Sequence, residues 1–121
     1  MISDFYIKIG GGYQDAKQRL VSDKLIEKVV LKFPAEPAFT MLTEAINAED
    51  VAAAFSAVHR LKGVALNLSF ERLAMASVKL TDAMRETVRC NYSWAQYRKM
   101  FAEVEQEYKR VIAAIEEYQQ G

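Results

Sequence analysis

Residues 51–68 carry apolar side chains at the spacing of one face of an α-helix. This apolar stripe consists of Val51, Ala54, Val58, Leu61, Ala65 and Leu68. At about 100° per residue, the only histidine of the chain, His59, points roughly 140° away from the middle of the stripe. The sequence therefore predicts an amphipathic helix that buries one face and presents His59 to solvent or to a partner.

Lys62 and Gly63 follow His59 by three and four residues, so they flank it on the next turn of the predicted helix. A glycine in the middle of a helix costs about 1 kcal/mol relative to alanine. Nothing in the neighbouring sequence needs a break in the helix at this point. A glycine that weakens the helix directly beside the only histidine indicates that something must come close to this surface.

Three further segments have apolar faces at helical spacing, and potential caps lie at their ends. They are residues 37–48, which could continue a helix over 23–33 across two prolines, residues 70–89, and residues 94–118. Ser22, Asp50 and Ser69 are the expected N-caps of helices, and Ser93 with Gln96 forms a capping box. The stripe of residues 94–118 could seek a partner helix, but a wall of the chain's own core explains it more simply.

Short connections make consecutive helices antiparallel neighbours. We therefore predict an all-α fold, an antiparallel up-down four-helix bundle with one or two short N-terminal helices covering one end. One of these short helices is expected over Tyr13–Leu20. Three glycines at positions 10–12 suggest a flexible joint, so residues 1–12 are expected to be an arm that packs loosely on a domain of residues 13–121.

The charge balance and the cysteine content exclude several classes of protein. The 121 residues include 16 basic and 16 acidic side chains, and this balance argues against a general nucleic-acid binder. Cys90 is the only cysteine, which rules out an intrachain disulfide and a cysteine-based metal site. No apolar run approaches the roughly 18 residues of a membrane span, and the N-terminus does not resemble a secretory signal. We expect a soluble, cytoplasmic monomer with neither a nucleic-acid nor a membrane partner.

Two familiar chemistries fit His59 poorly. Metal centres in helical bundles use Glu-x-x-His pairs on facing helices, but position 56 is a serine and there is no second histidine. Ser56 could contact His59 as a hydrolase nucleophile, yet no orienting acid and no strand–turn–helix oxyanion hole are evident. The glycines at 10–12 also lack the lysine and hydroxyl that a phosphate-binding loop requires.

Acceptance of a phosphoryl group by the imidazole fits better. A neutral ring offers one nitrogen with a lone pair and needs no general base. The phosphorylated ring carries negative charge, which Lys62 is placed to offset as a mobile point charge. Bare backbone at Gly63 would let a partner's carboxylate and its metal ion approach in line, and such transfer depends mainly on positioning and electrostatics.

The segment His59-Arg60-Leu61-Lys62-Gly63, followed by Asn67-Leu68, resembles a known signature. It is similar to the His-x-Leu-Lys-Gly…Leu-Gly pattern of histidine-containing phosphotransfer (HPt) domains, four-helix-bundle intermediates of multistep two-component phosphorelays. The similarity extends from about residue 13 to residue 89, and residues 94–118 fit the last helix of the family without a motif. The chain departs from the pattern at Ser69, where the family often has glycine. Ser69 is expected to cap the next helix, with Asn67 taking any left-handed conformation.

The resemblance implies that His59 is the phosphoacceptor and exchanges its phosphoryl group with an aspartate of a receiver domain. Lys62 would stabilise charge and Gly63 would give access. The implied partners are receiver domains of response regulators, a hybrid histidine kinase, or both, with Mg²⁺ held by the receiver. The chain itself would hold no cofactor or metal and would be a phosphocarrier without ATP-dependent kinase activity.

In this family the receiver docks on an apolar patch around the histidine. The candidates in this chain are Ala52, Phe55 and Leu66 from the histidine helix and Tyr13, Ala16, Leu20 and Leu25 from the N-terminal helices. The next helix often lends a polar group beside the histidine, and Thr81, Asp82 and Arg85 all have suitable spacing. The alternative function is a non-catalytic adaptor that binds a receiver or another helical partner without carrying phosphate.

Overall fold

The computed structural model describes every residue from Met1 to Gly121 and confirms the all-α class. Seven α-helices follow one another without any strand: α1 (Ile2–Ile9), α2 (Tyr13–Leu20), α3 (Asp23–Lys32), α4 (Ala38–Asn47), α5 (Val51–Asn67), α6 (Glu71–Ala83) and α7 (Trp94–Gln120). Two short 3-10 helices, Phe33–Ala35 and Arg89–Asn91, lie before α4 and before α7. The first of them holds Pro34 and separates α3 from α4, so the two prolines divide this region into two helices. No helix combines the length and the low charge that crossing a bilayer requires.

The helices α4 to α7 form a helical bundle around one hydrophobic core. Helix α5, which carries His59, packs on α4 and α6, and α6 also packs on α7. The stripe predicted for residues 51–68 is buried except for Val51, which is half-buried. Helix α7 turns its stripe inward, because Phe39 of α4 stacks on Tyr108 of α7 with ring centroids 3.9 Å apart. The long stripe of α7 is therefore a wall of the core.

Side-chain caps fix the starts of three helices, as the sequence predicted. The Asp50 carboxylate accepts a hydrogen bond of 3.0 Å from the Ala53 amide and begins α5. Ser22 caps α3 through the Leu25 amide at 3.1 Å. Ser93 and Gln96 form the predicted capping box at the start of α7. Asp50 thus stabilises the first turn of the helix that carries His59.

The expectation that the first residues form a loosely packed arm is wrong. They form α1, whose residues Ile2, Phe5, Tyr6 and Ile9 are buried and belong to the same core as the bundle. The Tyr6 hydroxyl donates a hydrogen bond of 2.7 Å to the Leu68 carbonyl, and burial raises the pKa of this phenol. The spacing i, i+3, i+4 and i+7 of these four residues is a helical apolar face, a signal that the glycines after it obscured.

The helix predicted over residues 70–89 ends earlier, at Ala83. Side-chain hydrogen bonds, one of them from another helix, satisfy carbonyl groups at this end. The Tyr97 hydroxyl of α7 lies 3.3 Å from the Ala83 carbonyl and 2.9 Å from the Arg89 carbonyl. The Arg89 guanidinium in turn donates to the Met84 carbonyl at 3.1 Å. These contacts hold the chain in a turn that local periodicity does not reveal.

Candidate functional site

His59 lies on the exposed face of α5, as the phase of the apolar stripe predicted. Its ring makes no hydrogen bond within the chain. The nearest aromatic neighbour is Phe55, one turn earlier, with ring centroids 5.9 Å apart and a tilt of 39°. No protein group therefore competes for either ring nitrogen, and Phe55 supports the ring from the side.

Lys62 is half-buried beside His59 and forms no ion pair or hydrogen bond within the chain. The other cation of α5, Arg60, is paired with Glu36 at 3.0 Å. Lys62 is thus the cation on this helix that stays free to meet an incoming anion. Its half-buried position keeps the stem on the protein surface while the ammonium group can move.

Gly63 is exposed, and a Cβ atom built on it would meet nothing within 4 Å. Neither close packing nor backbone conformation requires glycine here, because the residue lies inside a regular helix. The helix carries the cost of a mid-helix glycine without any internal gain. The missing side chain leaves open backbone one turn from the imidazole.

The C-terminal end of α5 is held by Arg19 of α2. Its guanidinium donates to the Asn67 carbonyl at 3.2 Å and to the Leu66 carbonyl at 3.0 Å. Arg19 also pairs with Asp15 at 2.7 Å and donates to the Ser69 hydroxyl. Arginine thus satisfies carbonyls that the last turn of a helix leaves without partners.

The expected roles of Ser69 and Asn67 at this turn are wrong. Asn67 is the last residue of α5, and Ser69 takes the left-handed conformation with φ 57°. Phe70 precedes α6 and provides no side-chain cap. Ser69 tolerates a conformation that favours glycine because its hydroxyl donates to Asp15 at 2.8 Å. This hydrogen bond, and then the pairing with Arg19, lower the pKa of the Asp15 carboxyl.

The structure places the candidate docking residues unevenly. Ala52 is exposed, Leu66 is 50% exposed and Leu25 is 41% exposed. Phe55, Tyr13 and Leu20 are half-buried. Ala16, by contrast, is completely buried, so its expected place on the docking patch is wrong. Ala16 faces the core from α2, a short helix with too few apolar residues for the sequence to show which of them is buried.

Sequence reasoning missed Met75 of α6, which is 73% exposed. It lines a shallow apolar depression together with Leu66, Ala74 and Val78. The depression extends the apolar surface of α5 onto the neighbouring helix. Met75 lies off the buried stripe of α6, and a large apolar side chain at such a position is the signal that could have identified it.

The three polar candidates of the region after α5 differ in their surroundings. Thr81 is buried, and its hydroxyl donates to the Ser77 carbonyl at 2.7 Å, so it is not free to assist His59. Asp82 and Arg85 are exposed and paired with each other at 3.2 Å. Arg85 also lines a cleft with Ala52, Phe55, Ser56, Glu86, Thr87 and Arg89. A cation thus lies across a cleft from the turn of α5 that precedes His59.

Comparison with known proteins gives the family. The model of the Hpt domain matches residues 35–115, well over half of the chain, including His59, Lys62 and Gly63. No curated protein and no solved structure gives a significant match. The chain belongs to the Hpt domain family, whose members are phosphotransfer modules of two-component signalling and not kinases.

The structure contains no cluster of three or more His, Cys, Asp or Glu side chains that could hold a metal ion.

We expect Asp15→Asn to lower the free energy of unfolding near neutral pH and to have little effect in strong acid. Because hydrogen bonding lowers the pKa of Asp15 below its ordinary 3.8, the folded state favours the ionised carboxylate. This contribution is present above pH 3.8 and is lost as the pH falls through the lowered pKa of the folded state. Urea unfolding of both proteins over this range measures the difference.

Asp82→Asn is the matched control, because it also removes an exposed carboxylate paired with an arginine. It lies on α6, away from Ser69 and the end of α5. If the free energy of unfolding of the natural chain and of Asp15→Asn fell by the same amount throughout the acid range, that result would contradict the role given to the Asp15 hydrogen bonds.

Proposed function

We propose that the chain is a phosphorelay intermediate that accepts a phosphoryl group on His59 from the aspartyl phosphate of a receiver domain. It then passes the group to the aspartate of another receiver. The observation that supports this most directly is an exposed imidazole without any internal hydrogen bond, one turn from a glycine that the fold does not need. Acceptance from a partner requires these two features, an unoccupied lone pair and an open approach.

The transfer consists of one displacement at phosphorus. A ring nitrogen of His59 forms a bond to phosphorus as the bond from phosphorus to the aspartyl oxygen breaks, and the carboxylate leaves with the electron pair. Lys62 would offset the charge on the phosphoryl oxygens during transfer and on the phosphorylated ring. Mg²⁺ held by the receiver would supply further charge stabilisation there. The reverse displacement on a second receiver completes the relay.

The partner surface in this proposal includes the exposed or half-buried apolar residues around His59. On α5 they are Ala52, Phe55 and Leu66, joined by Met75 from α6, and the N-terminal helices add Tyr13, Leu20 and Leu25. Apolar side chains gathered around the reacting group provide affinity, while charged neighbours steer the encounter.

The remaining parts of the proposal concern arrangement and setting. The packing of α4 on α5, α5 on α6 and α6 on α7 supports an up-down four-helix arrangement, with α1 to α3 added to it. The partners would be receivers of response regulators or of a hybrid histidine kinase. A monomer in the cytoplasm suits a carrier that must reach two partners in turn.

We predict that His59→Gln abolishes phosphorylation of the chain. Incubation with a panel of receiver domains, each charged by a small acyl phosphate, should label the natural chain with a phosphoryl group that is labile in acid and stable in base. Glutamine has no ring nitrogen to attack phosphorus, and its exposed position should leave the fold intact. Labelling of the variant would contradict the role of His59.

The same experiment separates the relay from the adaptor function. An adaptor would bind a receiver equally well before and after the substitution of His59, and no label would ever appear on the natural chain. A relay intermediate gains label and returns it to a second, unphosphorylated receiver.

We predict that Lys62→Ala slows transfer about tenfold, because one charge-assisted contact to the phosphoryl group is lost. Rapid-quench kinetics with a saturating receiver measure this effect, and circular dichroism should show unchanged helix content. Arg60→Ala is the matched control, since it removes a cation of the same helix that already pairs with Glu36. Equal slowing in both variants would show that Lys62 acts only through the general charge of α5.

We predict that Gly63→Ala stabilises the fold by about 0.5–1 kcal/mol, because the new Cβ meets nothing within 4 Å and favours the helix. Gly63→Gln should keep a normal fold and raise the KM for the receiver several-fold, because its side chain occupies the approach to His59. Ala53→Gln, at another exposed position of α5, controls for bulk alone. Undiminished transfer by Gly63→Gln would show that access is not the role of the glycine.

A further inference from the structure

The turn between α2 and α3 holds Val21 in an unfavourable conformation, with φ 72° and ψ −40°. The Ser22 amide donates to the Leu20 carbonyl at 2.8 Å, so Val21 is the central residue of a γ-turn with positive φ. This kind of γ-turn is rare and strained, and a β-branched residue with positive φ is an outlier. Glycine would adopt the same backbone without steric cost.

The Val21 side chain brings the fold no compensation. It is 77% exposed and belongs neither to the core nor to the partly buried residues packed against it. The folded state therefore carries backbone strain at a residue whose apolar side chain remains exposed to water. Strain of this kind is typical of functional surfaces, where the side chain is used by something outside the fold.

Charged and apolar residues next to Val21 are also without internal partners. Leu25, one turn into α3, is 41% exposed. Lys24 and Lys28 are exposed and form no ion pair within the chain, whereas nearby Lys17 is paired with Asp23 at 2.8 Å. We name Val21, Lys24, Leu25 and Lys28 the α2–α3 corner. This surface combines two exposed apolar side chains with two unpaired lysines. It is therefore complementary to an apolar site with an acidic rim.

Arg19 ties the α2–α3 corner to the end of α5, the helix that carries His59. Arg19, two residues before Val21, donates to the Asn67 carbonyl, eight residues after His59 and so about 12 Å further along the helix. A standard interface covers about 800 Å² on each partner, which corresponds to a disc of roughly 16 Å radius. A docked domain of this size centred on His59 is wide enough to reach this end of α5.

We infer that the α2–α3 corner is a contact surface for the receiver and that Val21 is the residue on it that sets affinity. The inference rests on the proposed function. A receiver that holds Mg²⁺ beside its aspartyl phosphate must supply carboxylate ligands, so its docking face is acidic near the reacting group. Lys24 and Lys28 add positive charge that would steer such an acidic face towards the site, and Val21 and Leu25 supply apolar contact.

Two substitutions of Val21 separate contact from strain. Val21→Ala keeps a Cβ, and with it the strained backbone, but removes the γ-methyl groups, whereas Val21→Gly removes both. We expect both variants to raise the KM for the fastest receiver of the panel about fivefold and to change kcat by less than about twofold. The midpoint of thermal unfolding should be unchanged in Val21→Ala and raised by about 3 °C in Val21→Gly.

Ile7→Ala is the matched control, because Ile7 is also β-branched and 77% exposed, but lies on α1. It should leave the KM unchanged. Lys28→Glu should raise the KM and weaken its dependence on salt concentration. Transfer with an unchanged KM in both Val21 variants overturns the inference and leaves the proposed function standing. A raised KM accompanied by a lower unfolding midpoint in both variants also overturns it, and failure of every receiver to label natural His59 overturns both proposals.

Discussion

The hydrogen bonds that hold the last turn of α5 connect the N-terminal helices to the helix that carries His59. A helix ends with carbonyl groups that have no partner in the helix, and here the preceding segment supplies donors for them. Tyr6 donates to Leu68, Arg19 donates to Leu66 and Asn67, and the Gly12 amide donates to the Ser69 carbonyl at 3.0 Å. Residues outside the matched family region thus hold the helix that carries the histidine.

Around this fixed helix, the site is distinguished by the groups that are left without partners. Arginine side chains near it are occupied, since Arg19, Arg60 and Arg85 all form ion pairs. Lys62 and the imidazole of His59 form none. Lysines elsewhere also pair between helices, as Lys79 does with Glu103, so Lys62 is distinguished as a mobile cation left unpaired beside His59. A phosphoryl-transfer module requires both a rigidly held helix and side chains on it that have no internal partner.

Local sequence patterns predicted the features that depend on local physics. The phase of the stripe in α5 placed His59 on the surface, and the caps at Ser22, Asp50 and Ser93 are present because each satisfies an amide within its own first turn. The features that were missed depend on distant contacts. Ser69 is left-handed because Asp15 and Arg19 bind its hydroxyl, and α6 ends at Ala83 where Tyr97 reaches the carbonyl from another helix. The position of Ala16 likewise required the packing of α2, which its short pattern did not define.

The unbonded ring of His59 has an energetic consequence for every encounter with a partner. No hydrogen bond fixes the side-chain torsions of His59, although Phe55 lies beside the ring, so a partner must set the final orientation of the imidazole. Immobilising a side chain of this kind costs about 0.5–1.5 kcal/mol, which the partner must supply from its own contacts. Under the proposed function, each receiver would select the ring orientation that suits its own phosphoryl geometry. In the proposed relay, this one residue would act as acceptor towards one domain and as donor towards another.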